Sequence, residues 1–384
     1  MNPDLERQLI QTCIDLRERR TTTLAEAGGL AMPERYTDPV RFQRELEKLF
    51  RRLPNPVVHS SEIAEPNSFQ VVETALGSLV ISRDADGRSH ALRNACRHRG
   101  AQVASGSGCA KRLTCPYHAW SYTLDGQLAS VPGKGNCFPD LVEADNGLIE
   151  VPSVEKYGLV WVCPEAADAA DAEQRLDSHL GDMADHLEWM DLTGSKVFKR
   201  SSKLWQGNWK LFAEGGLETY HFAYAHKSTI APYFYNNTAV IDQVGRHFRV
   251  VMPTRALDGI TSVAGQDVSL HDYTHTLFLM LGGGAFLVQE KHVDWILFRP
   301  IAADQTEIIT ISLIPADADL NDAAVQAHWQ KNHDITVMTL DEDWALGASI
   351  QASLASGALP HVQYGRNEWA LRVFEDQVDE LIGY

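Results

Sequence analysis

The amino-acid sequence predicts an α+β protein in which a small all-β unit precedes a larger unit of antiparallel strands and helices. Between about residues 55 and 164, short apolar runs such as Leu79–Arg83 and Leu159–Val162 are separated by turn residues, as in an all-β unit. Farther along, several strand-like runs are followed by two long helical stretches. Strands and helices segregated along the chain in this way are typical of α+β folds.

The N-terminal region is predicted to be helical. Apolar residues recur near a 3.6-residue period over residues 4–28, and the pattern stops at Gly28. Arg41–Arg52 suggests a second, short helix. After the all-β unit, residues 165–192 are rich in Ala and Asp and are predicted to form a helical linker.

The C-terminal half is predicted to contain an antiparallel meander followed by helices. The candidate strands lie at 246–252, 276–281, 285–290, 293–299 and 306–314, and the helices at about 321–356 and 365–382. A chain of 384 residues can form two or three domains that each bury a core. We place them at 1–49 (N-terminal helices packing on the last domain), 50–165 and 166–384.

Composition and charge exclude several classes of protein. With 44% hydrophobic and 22% charged residues, the chain is an ordinary globular protein. Its net charge of −17 argues against nucleic acid or an anionic membrane as partner. The polar N-terminus predicts no signal peptide, and the longest apolar stretch, about 276–289, is too short to span a bilayer.

The cysteine usage predicts a reducing, cytoplasmic location. Of the six cysteines, Cys13, Cys109, Cys137 and Cys163 show no disulfide-framework spacing and are expected to be reduced thiols.

Two cysteine–histidine pairs are the most informative residues of the chain. Cys96 and His98 form the first pair, Cys115 and His118 form the second, and sixteen residues lie between the pairs. A structural Cys2His2 zinc site is one interpretation of such donors. However, zinc fingers usually pair cysteine with cysteine and histidine with histidine. Here each loop supplies one of each, as a two-iron cluster approached from opposite sides requires.

The residues around these pairs resemble the Rieske [2Fe–2S] domain. The segments read Cys-Arg-His-Arg-Gly at 96–100 and Cys-Pro-Tyr-His-Ala-Trp-Ser-Tyr at 115–122. The resemblance implies that the two cysteines bind one iron and the two histidines bind the other. Neutral imidazoles in place of thiolates raise the reduction potential above that of an all-cysteine cluster.

A second candidate metal site lies at Glu218, His221 and His226, in the pattern E-x-x-H-x-x-x-x-H. Five residues of regular helix turn through about 500°, so the histidines of an unbroken helix would lie about 140° apart. A helix end or a π-bulge is therefore required if both bind one ion. Taken alone the pattern is weak, since most histidines so spaced are surface residues or hydrogen-bonded core residues.

Downstream of a Rieske motif, the same pattern resembles the mononuclear iron site of Rieske non-haem iron oxygenases, and Asn-Trp-Lys at 208–210 also matches. A 2-His-1-carboxylate set binds Fe(II) and leaves coordination positions open. The resemblance maps the carboxylate onto Asp343, with Asp341 as the competing ligand. The alternative is that these acids are only solvated helix charges. The resemblance also implies a helix-grip (START-like) catalytic domain.

The family gives Glu218 a role other than that of ligand. The acid at this position, often Asp, joins a Rieske histidine of one subunit to an iron-bound histidine of its neighbour and would fix both tautomers. The resemblance therefore places Glu218, with Asn208, among the residues that serve catalysis, and Glu218 would link His118 to His221 of the next subunit. Glu at this position also occurs in members that act on quaternary amines.

The resemblance, from about residue 40 to the C-terminus, implies a terminal oxygenase (α subunit). Such a protein hydroxylates a small organic substrate with O2, as monooxygenation or oxidative demethylation; cis-dihydroxylation of an arene is the alternative. Electrons from NAD(P)H would arrive through a reductase or ferredoxin, since the chain has no Gly-rich dinucleotide fingerprint. The family also implies a homotrimer with head-to-tail interfaces. A Rieske electron carrier and a zinc-binding module are the competing classes.

Aromatic residues near the second motif are candidates for a substrate pocket. They are Phe222, Tyr224, Tyr233, Phe234 and Tyr235 around the motif and Phe278, Phe286 and Trp295 on candidate strands. They suit an arene or a methylated ammonium held by cation–π contacts, although aromatics on strands more often belong to a core.

Overall fold

The computed structural model describes residues 1–384 and divides them into two units. The larger unit comprises Met1–Leu49, Gly181–Met190 and Val197–Tyr384, and the smaller comprises Phe50–Leu180 and Asp191–Lys196. No helix combines the length and the apolar character needed to cross a membrane.

Eleven α-helices occur along the chain. In order, α1–α11 are Pro3–Arg19, Glu34–Thr37, Pro39–Glu45, Lys134–Cys137, Ala169–Leu180, Met183–Trp189, Trp209–Gly215, Phe222–Ala225, Leu270–Tyr273, Ala323–Ala355 and Trp369–Ile382. The predicted helix over 4–28 is wrong at its C-terminal end. Arg20 takes a left-handed conformation (φ 51°) and its N–H bonds back to Arg17 O, which ends α1. The predicted linker helix is two helices, α5 and α6.

Nineteen strands complete the secondary structure. In order, β1–β19 are Gly29–Ala31, Asn55–His59, Ser68–Thr74, Gly77–Arg83, Ser89–Arg93, Ser107–Cys109, Leu113–Thr114, Ser121–Tyr122, Leu128–Ser130, Ser153–Lys156, Leu159–Val162, Ser195–Gln206, Val240–Val244, His247–Pro253, Thr274–Met280, Gly284–Val288, Val293–Ala302, Gln305–Pro315 and Val362–Tyr364. The five strands predicted in the C-terminal half correspond to β14–β18. In this half of the chain the sequence missed β12, β13 and β19. β12 lies at a sheet edge and has no buried residue, so no apolar run reveals it.

The smaller unit contains three antiparallel sheets, with strand orders β5-β4-β3-β6, β10-β11-β2 and β7-β8-β9. One of its cores includes Cys96 and Cys115 together with Trp120 and Tyr122. The cysteines of the first motif are therefore built into the packed interior of an all-β unit. α5 also belongs to this unit.

The larger unit is built on a seven-stranded antiparallel sheet of order β12-β18-β17-β16-β15-β14-β13. The long helix α10 lies against one face, where Thr336 Oγ1 donates to Asp294 Oδ2 at 2.8 Å. α6 packs on the other face, where the rings of His186 and Phe278 lie 5.1 Å apart. Successive residues of each strand therefore face α10 and α6 alternately. This arrangement confirms the predicted α+β fold with an antiparallel sheet and C-terminal helices.

The absence of a side chain at Gly347 allows α7 to approach α10 closely. A Cβ atom at Gly347 would lie 2.7 Å from Cε1 of Phe212 on α7, well inside the separation at which carbon atoms pack. The Phe212 ring packs edge-on against Trp344 of α10, with centroids 5.1 Å apart. This contact places the segment that follows α7 beside the middle of α10.

A buried ion-pair cluster connects α3 to α7. The Lys210 ammonium has no exposed side-chain surface and donates to Glu45 Oε1 at 2.6 Å, and Arg41 Nε donates to the same oxygen at 3.0 Å. Trp209 Nε1 donates to Glu45 Oε2 at 2.8 Å. Both oxygens of Glu45 are thus bonded and its charge is balanced.

Glu214 lies in the same interior, and its surroundings favour the protonated form. Burial, followed by the neighbouring Glu375 carboxylate, raises the pKa of Glu214 well above its ordinary value. Burial also raises the pKa of Glu375. The Tyr36 hydroxyl lies 3.1 Å from both carboxyl oxygens of Glu214 and 2.6 Å from the Tyr364 hydroxyl. Glu214 therefore acts as a neutral hydrogen-bonding group rather than as an ion.

Glu214 and Glu45 are expected to differ in how strongly the stability of the larger unit depends on charge at each of them. Glu214→Gln keeps the shape of a neutral carboxyl and should change the melting temperature by only a few degrees. Lys210→Met leaves the Glu45 charge short of a partner, a loss of about 3–5 kcal/mol, and should lower the melting temperature of the larger unit by about 10 °C. Scanning calorimetry of the two variants tests this. An equal drop for both would contradict the protonated state of Glu214.

Candidate metal centres and substrate cavity

Two loops of matching shape present the cysteine–histidine pairs. In the first, Gly100 N–H bonds to Cys96 O at 2.8 Å, and in the second, Ala119 N–H bonds to Cys115 O at 3.0 Å. Both closing residues have positive φ, 79° at Gly100 and 57° at Ala119. Glycine adopts this conformation freely, whereas alanine loses about 1–2 kcal/mol there. The second loop is therefore held in its shape by the structure around it.

The four candidate donors divide into a buried pair and an outer pair. Cys96 and Cys115 are 4% and 2% exposed, and the Tyr122 hydroxyl lies 3.2 Å from Cys96 Sγ. The rings of His98 and His118 lie next to each other, with centroids 4.6 Å apart. Nδ1 of His98 is buried without a hydrogen-bond partner, whereas His118 is exposed. A cluster held here would have its cysteine end in the core and its histidine end at the surface of the unit.

This donor set fits a two-iron cluster better than a single ion. Two thiolates and two imidazoles are the ligands of a Rieske [2Fe–2S] cluster. The four side chains do not converge on one point in the way that His221, His226 and Asp343, the candidate metal donors of the larger unit, do. A tetrahedral zinc ion needs all of its ligand atoms at about 2.0–2.3 Å.

His221 and His226 lie at the two ends of the short helix α8. His221 is its N-cap residue and His226 its C-cap residue, and α7 has already ended at Gly215. The irregularity that the spacing requires is therefore a helix end at His226. It brings the two imidazole rings to the same site, with centroids 5.0 Å apart.

Asp343, in the middle of α10, completes a group of three donors. Its Oδ1 lies 2.9 Å from His226 Nε2 and 3.4 Å from His221 Nε2. One donor atom from each residue lies within 4.8 Å of the other two. The competing candidate, Asp341, is turned elsewhere, since its Oδ2 pairs with Lys203 Nζ at 3.0 Å.

Each histidine has a carboxylate at its other ring nitrogen. Glu218 accepts a hydrogen bond from His221 Nδ1. Glu342 Oε2 accepts one from His226 Nδ1 at 2.8 Å and another from Thr229 Oγ1 at 2.7 Å. A proton on Nδ1 leaves the Nε2 lone pair available to a metal. The sequence does not reveal the role of Glu342, because that role depends on which side of α10 faces His226.

The electrostatics of the trio favour a cation. Burial lowers the pKa of His221, but Glu218 and Asp343 outweigh it and raise that pKa above its ordinary value. For His226, burial is likewise outweighed by Asp343 and Glu342, and its pKa is raised. Two imidazoles and one carboxylate oxygen are the donors of a 2-His-1-carboxylate Fe(II) site. The residues present therefore fit mononuclear iron.

The trio opens into a cavity of about 620 Å³, within the usual range for small-molecule sites. The walls are mainly apolar and include Phe212, Phe222, Phe234, Leu277, Leu287, Ile296, Phe298, Trp329, Ile335 and Trp344. The cavity lies between α10 and the face of the sheet that α10 covers.

The aromatic candidates from the sequence occupy three environments. Phe222, Tyr233 and Phe234 line the cavity, Tyr224 is exposed, Tyr235 belongs to a core with α1, and Phe278, Phe286 and Trp295 are fully buried. The last three lie on the α6 face, because Leu277 faces the cavity and its neighbour Phe278 must face the other way. The side of the sheet that each strand residue faces, which the sequence leaves open, thus excludes all three of the strand aromatics from the cavity.

Asn208 has a structural setting. It is 1% exposed, and its Oδ1 caps α7 by accepting from Lys210 N at 3.1 Å. Its amide group donates to Tyr36 O and Ala303 O, and its backbone N–H donates to Gln351 Oε1. Asn208 does not line the cavity, so the geometry gives it no contact with a reacting group.

Both units match known families. Residues 54–154 match the Rieske [2Fe–2S] domain, and residues 182–383, more than half of the chain, match the ring-hydroxylating alpha subunit (catalytic domain). The fold and the two donor sets together define a Rieske oxygenase large subunit, as the sequence predicts. The chain belongs to the family of ring-hydroxylating alpha subunits.

Relatives of several kinds are similar to part of the chain. The anthranilate 1,2-dioxygenase large subunit of Acinetobacter baylyi is 32% identical over 58% of this chain and 46% of its own length. The carnitine monooxygenase oxygenase subunit of Escherichia coli is 34% identical over 50% of each chain. Choline monooxygenase of Spinacia oleracea is 31% identical over 50% of this chain and 44% of its own. The chain spans about half of the length of these curated relatives.

Solved structures share the fold over nearly the whole chain. A quaternary ammonium Rieske monooxygenase in complex with L-carnitine superposes with a TM-score of 0.77 at 22% identity, covering 92% of this chain and 96% of that one. Naphthalene 1,2-dioxygenase from Rhodococcus sp. bound to indole superposes with a TM-score of 0.72 at 18% identity, covering 100% and 99%.

Metal analysis of two single variants tests the assignment of the acidic ligand. Asp343→Ala removes the oxygen that faces both imidazoles and should lose the mononuclear iron, while the absorption spectrum of the Rieske cluster stays unchanged. Asp341→Ala removes only the Lys203 pair and should keep both. Loss of the mononuclear iron from Asp341→Ala, with Asp343→Ala fully loaded, would move the ligand to Asp341.

Proposed function

We propose that this protein is the terminal oxygenase of a multicomponent Rieske system. Cys96, His98, Cys115 and His118 would hold the [2Fe–2S] cluster, and His221, His226 and Asp343 would hold mononuclear Fe(II). The overall reaction converts a C–H bond of a small organic substrate to C–OH. One oxygen atom of O2 enters the product and the other leaves as water, with two electrons supplied by NAD(P)H.

The observation that carries this proposal is the trio at the wall of an apolar cavity. A bound Fe(II) would supply the chemistry of O2 activation, and three protein donors leave coordination positions for O2 and substrate. Glu218 and Glu342 hold the histidines in the required tautomer. The apolar walls exclude water from the reacting carbon and position it by shape.

Monooxygenation, which becomes demethylation where the hydroxylated carbon bears N or O, is the reaction we favour. cis-Dihydroxylation of an arene is the second candidate, and a cavity of about 620 Å³ with aromatic walls accommodates an arene. Relatives with names of both kinds are similar to this chain.

The electrons would come from NAD(P)H through a separate reductase or ferredoxin. We further propose a homotrimer in which Glu218 joins His221 of its own chain to His118 of the neighbouring one, so that the electron path runs between subunits. Head-to-tail interfaces of this kind close into a ring. One of the solved structures similar in fold was described with inter-subunit electron transfer.

Spectroscopy and metal analysis test the proposal most cheaply. The purified protein should be brown, contain about three irons per chain on this assignment and give a Rieske EPR signal when reduced. His118→Ala should lose that signal. A colourless protein with zinc would support the zinc-binding class instead, and a cluster without a third iron would support an electron carrier.

Glu218→Gln tests the inter-subunit path. Glutamine keeps the size of the side chain and one hydrogen-bond acceptor. It removes the negative charge that would face His221 of the same chain and His118 of the neighbouring one. Both metal sites should stay loaded, while oxidation of the reduced cluster in a stopped-flow single turnover slows about 100-fold. Asp341→Asn, which neutralises a carboxylate outside the site, serves as the matched control. A wild-type rate in Glu218→Gln, or a fully active monomer in dilute solution, contradicts the path.

A further inference from the structure

One end of the cavity carries a row of polar side chains, one on β15 and two in the turn that joins β16 to β17. Thr276 pairs with Val288, and Val288 pairs with Val293. His275, Gln289 and His292 lie one residue farther along the same register. Gln289 N–H donates to His292 O at 2.9 Å. Residues paired in an antiparallel sheet point to the same side. All three members of this row line the cavity.

Two members of the row are fixed by a buried aspartate. Gln289 Nε2 lies 2.7 Å from Asp294 Oδ2 and 2.9 Å from His292 Nε2. Asp294 is itself fully buried and also accepts from Ser312 Oγ and Thr336 Oγ1. When His292 is neutral with its proton on Nδ1, Gln289 Nε2 donates both of its hydrogens, one to Asp294 and one to His292, and Gln289 Oε1 is left to accept from the cavity.

His275 is the member without a partner of its own. Its ring nitrogens make no hydrogen bond within the protein, and its one ring contact is edge-on to Phe234, at 5.1 Å. Burial, then the charge of His292, lowers the pKa of His275 to about 4 against an opposing effect of Asp294. The imidazole is therefore neutral, with one donor and one acceptor. A polar group in this position takes its partner from water or from a molecule bound in the cavity.

The row lies far from the metal-binding trio. Leu277 and Leu287 follow His275 and Gln289 on the cavity face, and Leu277 lies against Gly216 at the end of α7. On the opposite wall, Thr336 lies seven positions before Asp343 on α10, and this separation corresponds to about 10 Å along the helix. A molecule that reaches both ends must be elongated and apolar in its middle.

The charges around the row favour a neutral group there. Asp294, the carboxylate nearest the row, accepts three hydrogen bonds from neighbouring side chains. Three further charged residues, Arg255, Glu290 and Lys291, line the cavity, so that two positive charges balance the two negative charges of Asp294 and Glu290. With no net charge there, neither a cation nor an anion gains over a neutral group that avoids the cost of losing its water. Glu218 and Asp343 lie at the other end and face histidines.

We propose that His275, with Gln289, selects a neutral substrate: an elongated, mostly apolar molecule with a carbonyl or hydroxyl oxygen at the end remote from the carbon that is oxidised. This inference rests on the proposed function, because the oxidised carbon is defined by the metal site. It separates this chain from oxygenases whose substrates carry a quaternary ammonium at the recognised end.

Four toluenes that differ only in the para substituent test the proposal. They are 4-methylacetophenone (neutral acceptor), 4-isopropyltoluene (apolar and similar in shape), trimethyl(4-methylphenyl)ammonium (cation) and 4-methylbenzoate (anion). Dissociation constants are measured anaerobically by calorimetry on the iron-loaded protein, so that no turnover occurs. We expect 4-methylacetophenone to bind about tenfold more tightly than 4-isopropyltoluene, and the two ions to bind more weakly than either.

Single substitutions test whether the row of His275, Gln289 and His292 causes the preference for the ketone over the isopropyl probe. His275→Leu should abolish the preference for the ketone, since an apolar pocket alone favours the more apolar probe. His275→Gln provides a hydrogen-bond donor and an acceptor at the same position and should recover part of the preference for the ketone. His328→Leu, which removes an exposed histidine from the rim of the same cavity, should keep it and is the matched control. If His275→Leu does not fold, His275→Gln and Gln289→Leu carry the comparison, and each should weaken the preference.

The outcomes separate this inference from the proposed function. The inference would be overturned if the wild type bound the isopropyl probe or either ion more tightly than the ketone, or did not bind the ketone. An unchanged preference for the ketone in the His275 and Gln289 variants would overturn it as well. Absence of mononuclear iron, with the ketone preference intact, would overturn the proposed function and leave the selectivity of the cavity standing.

Discussion

The convergence of His221 Nε2, His226 Nε2 and Asp343 Oδ1 is the interaction on which the function of the larger unit depends. The two imidazoles are presented from the ends of a four-residue helix, and hydrogen bonds at their Nδ1 atoms fix their orientation and tautomer. The carboxylates of Glu218 and Glu342 hold their Nδ1 atoms and so direct both Nε2 atoms at Asp343. Removing the carboxylate of Glu218 or Glu342 would change which ring nitrogen of its histidine carries the proton, while all three candidate metal donors would still be present.

That convergence in turn depends on how closely α7 and α10 approach. Gly347 leaves room for Phe212, and Trp344, next to Asp343, packs against the same ring. The buried pair of Lys210 and Glu45 holds the other side of α7. Such a pair adds little net stability compared with apolar packing, but breaking it leaves a buried charge. The position of the metal-binding segment is therefore set by contacts on both sides of a seven-residue helix.

The sequence predicted the features that local chemistry determines. Spacing and neighbouring residues point to Cys96, His98, Cys115 and His118 as cluster ligands, which stays a prediction. Angular spacing required a helix end or a π-bulge between His221 and His226, and the structure has the helix end. The role of Glu342 could not be predicted, because it depends on which side of α10 faces His226. The edge strand β12 was missed because an exposed edge needs no apolar run. The row of His275, Gln289 and His292 was also invisible, since cross-strand register exists only once the sheet has formed.

Mössbauer spectroscopy of 57Fe-enriched protein tests the central claim most directly, because it resolves each iron population without reference to activity. In the reduced protein we expect roughly two thirds of the iron in the Rieske cluster and roughly one third as high-spin Fe(II) with nitrogen and oxygen ligands. The high-spin component should vanish in Asp343→Ala while the cluster components persist. A spectrum that contains cluster iron alone in the fully reconstituted wild type would contradict the account.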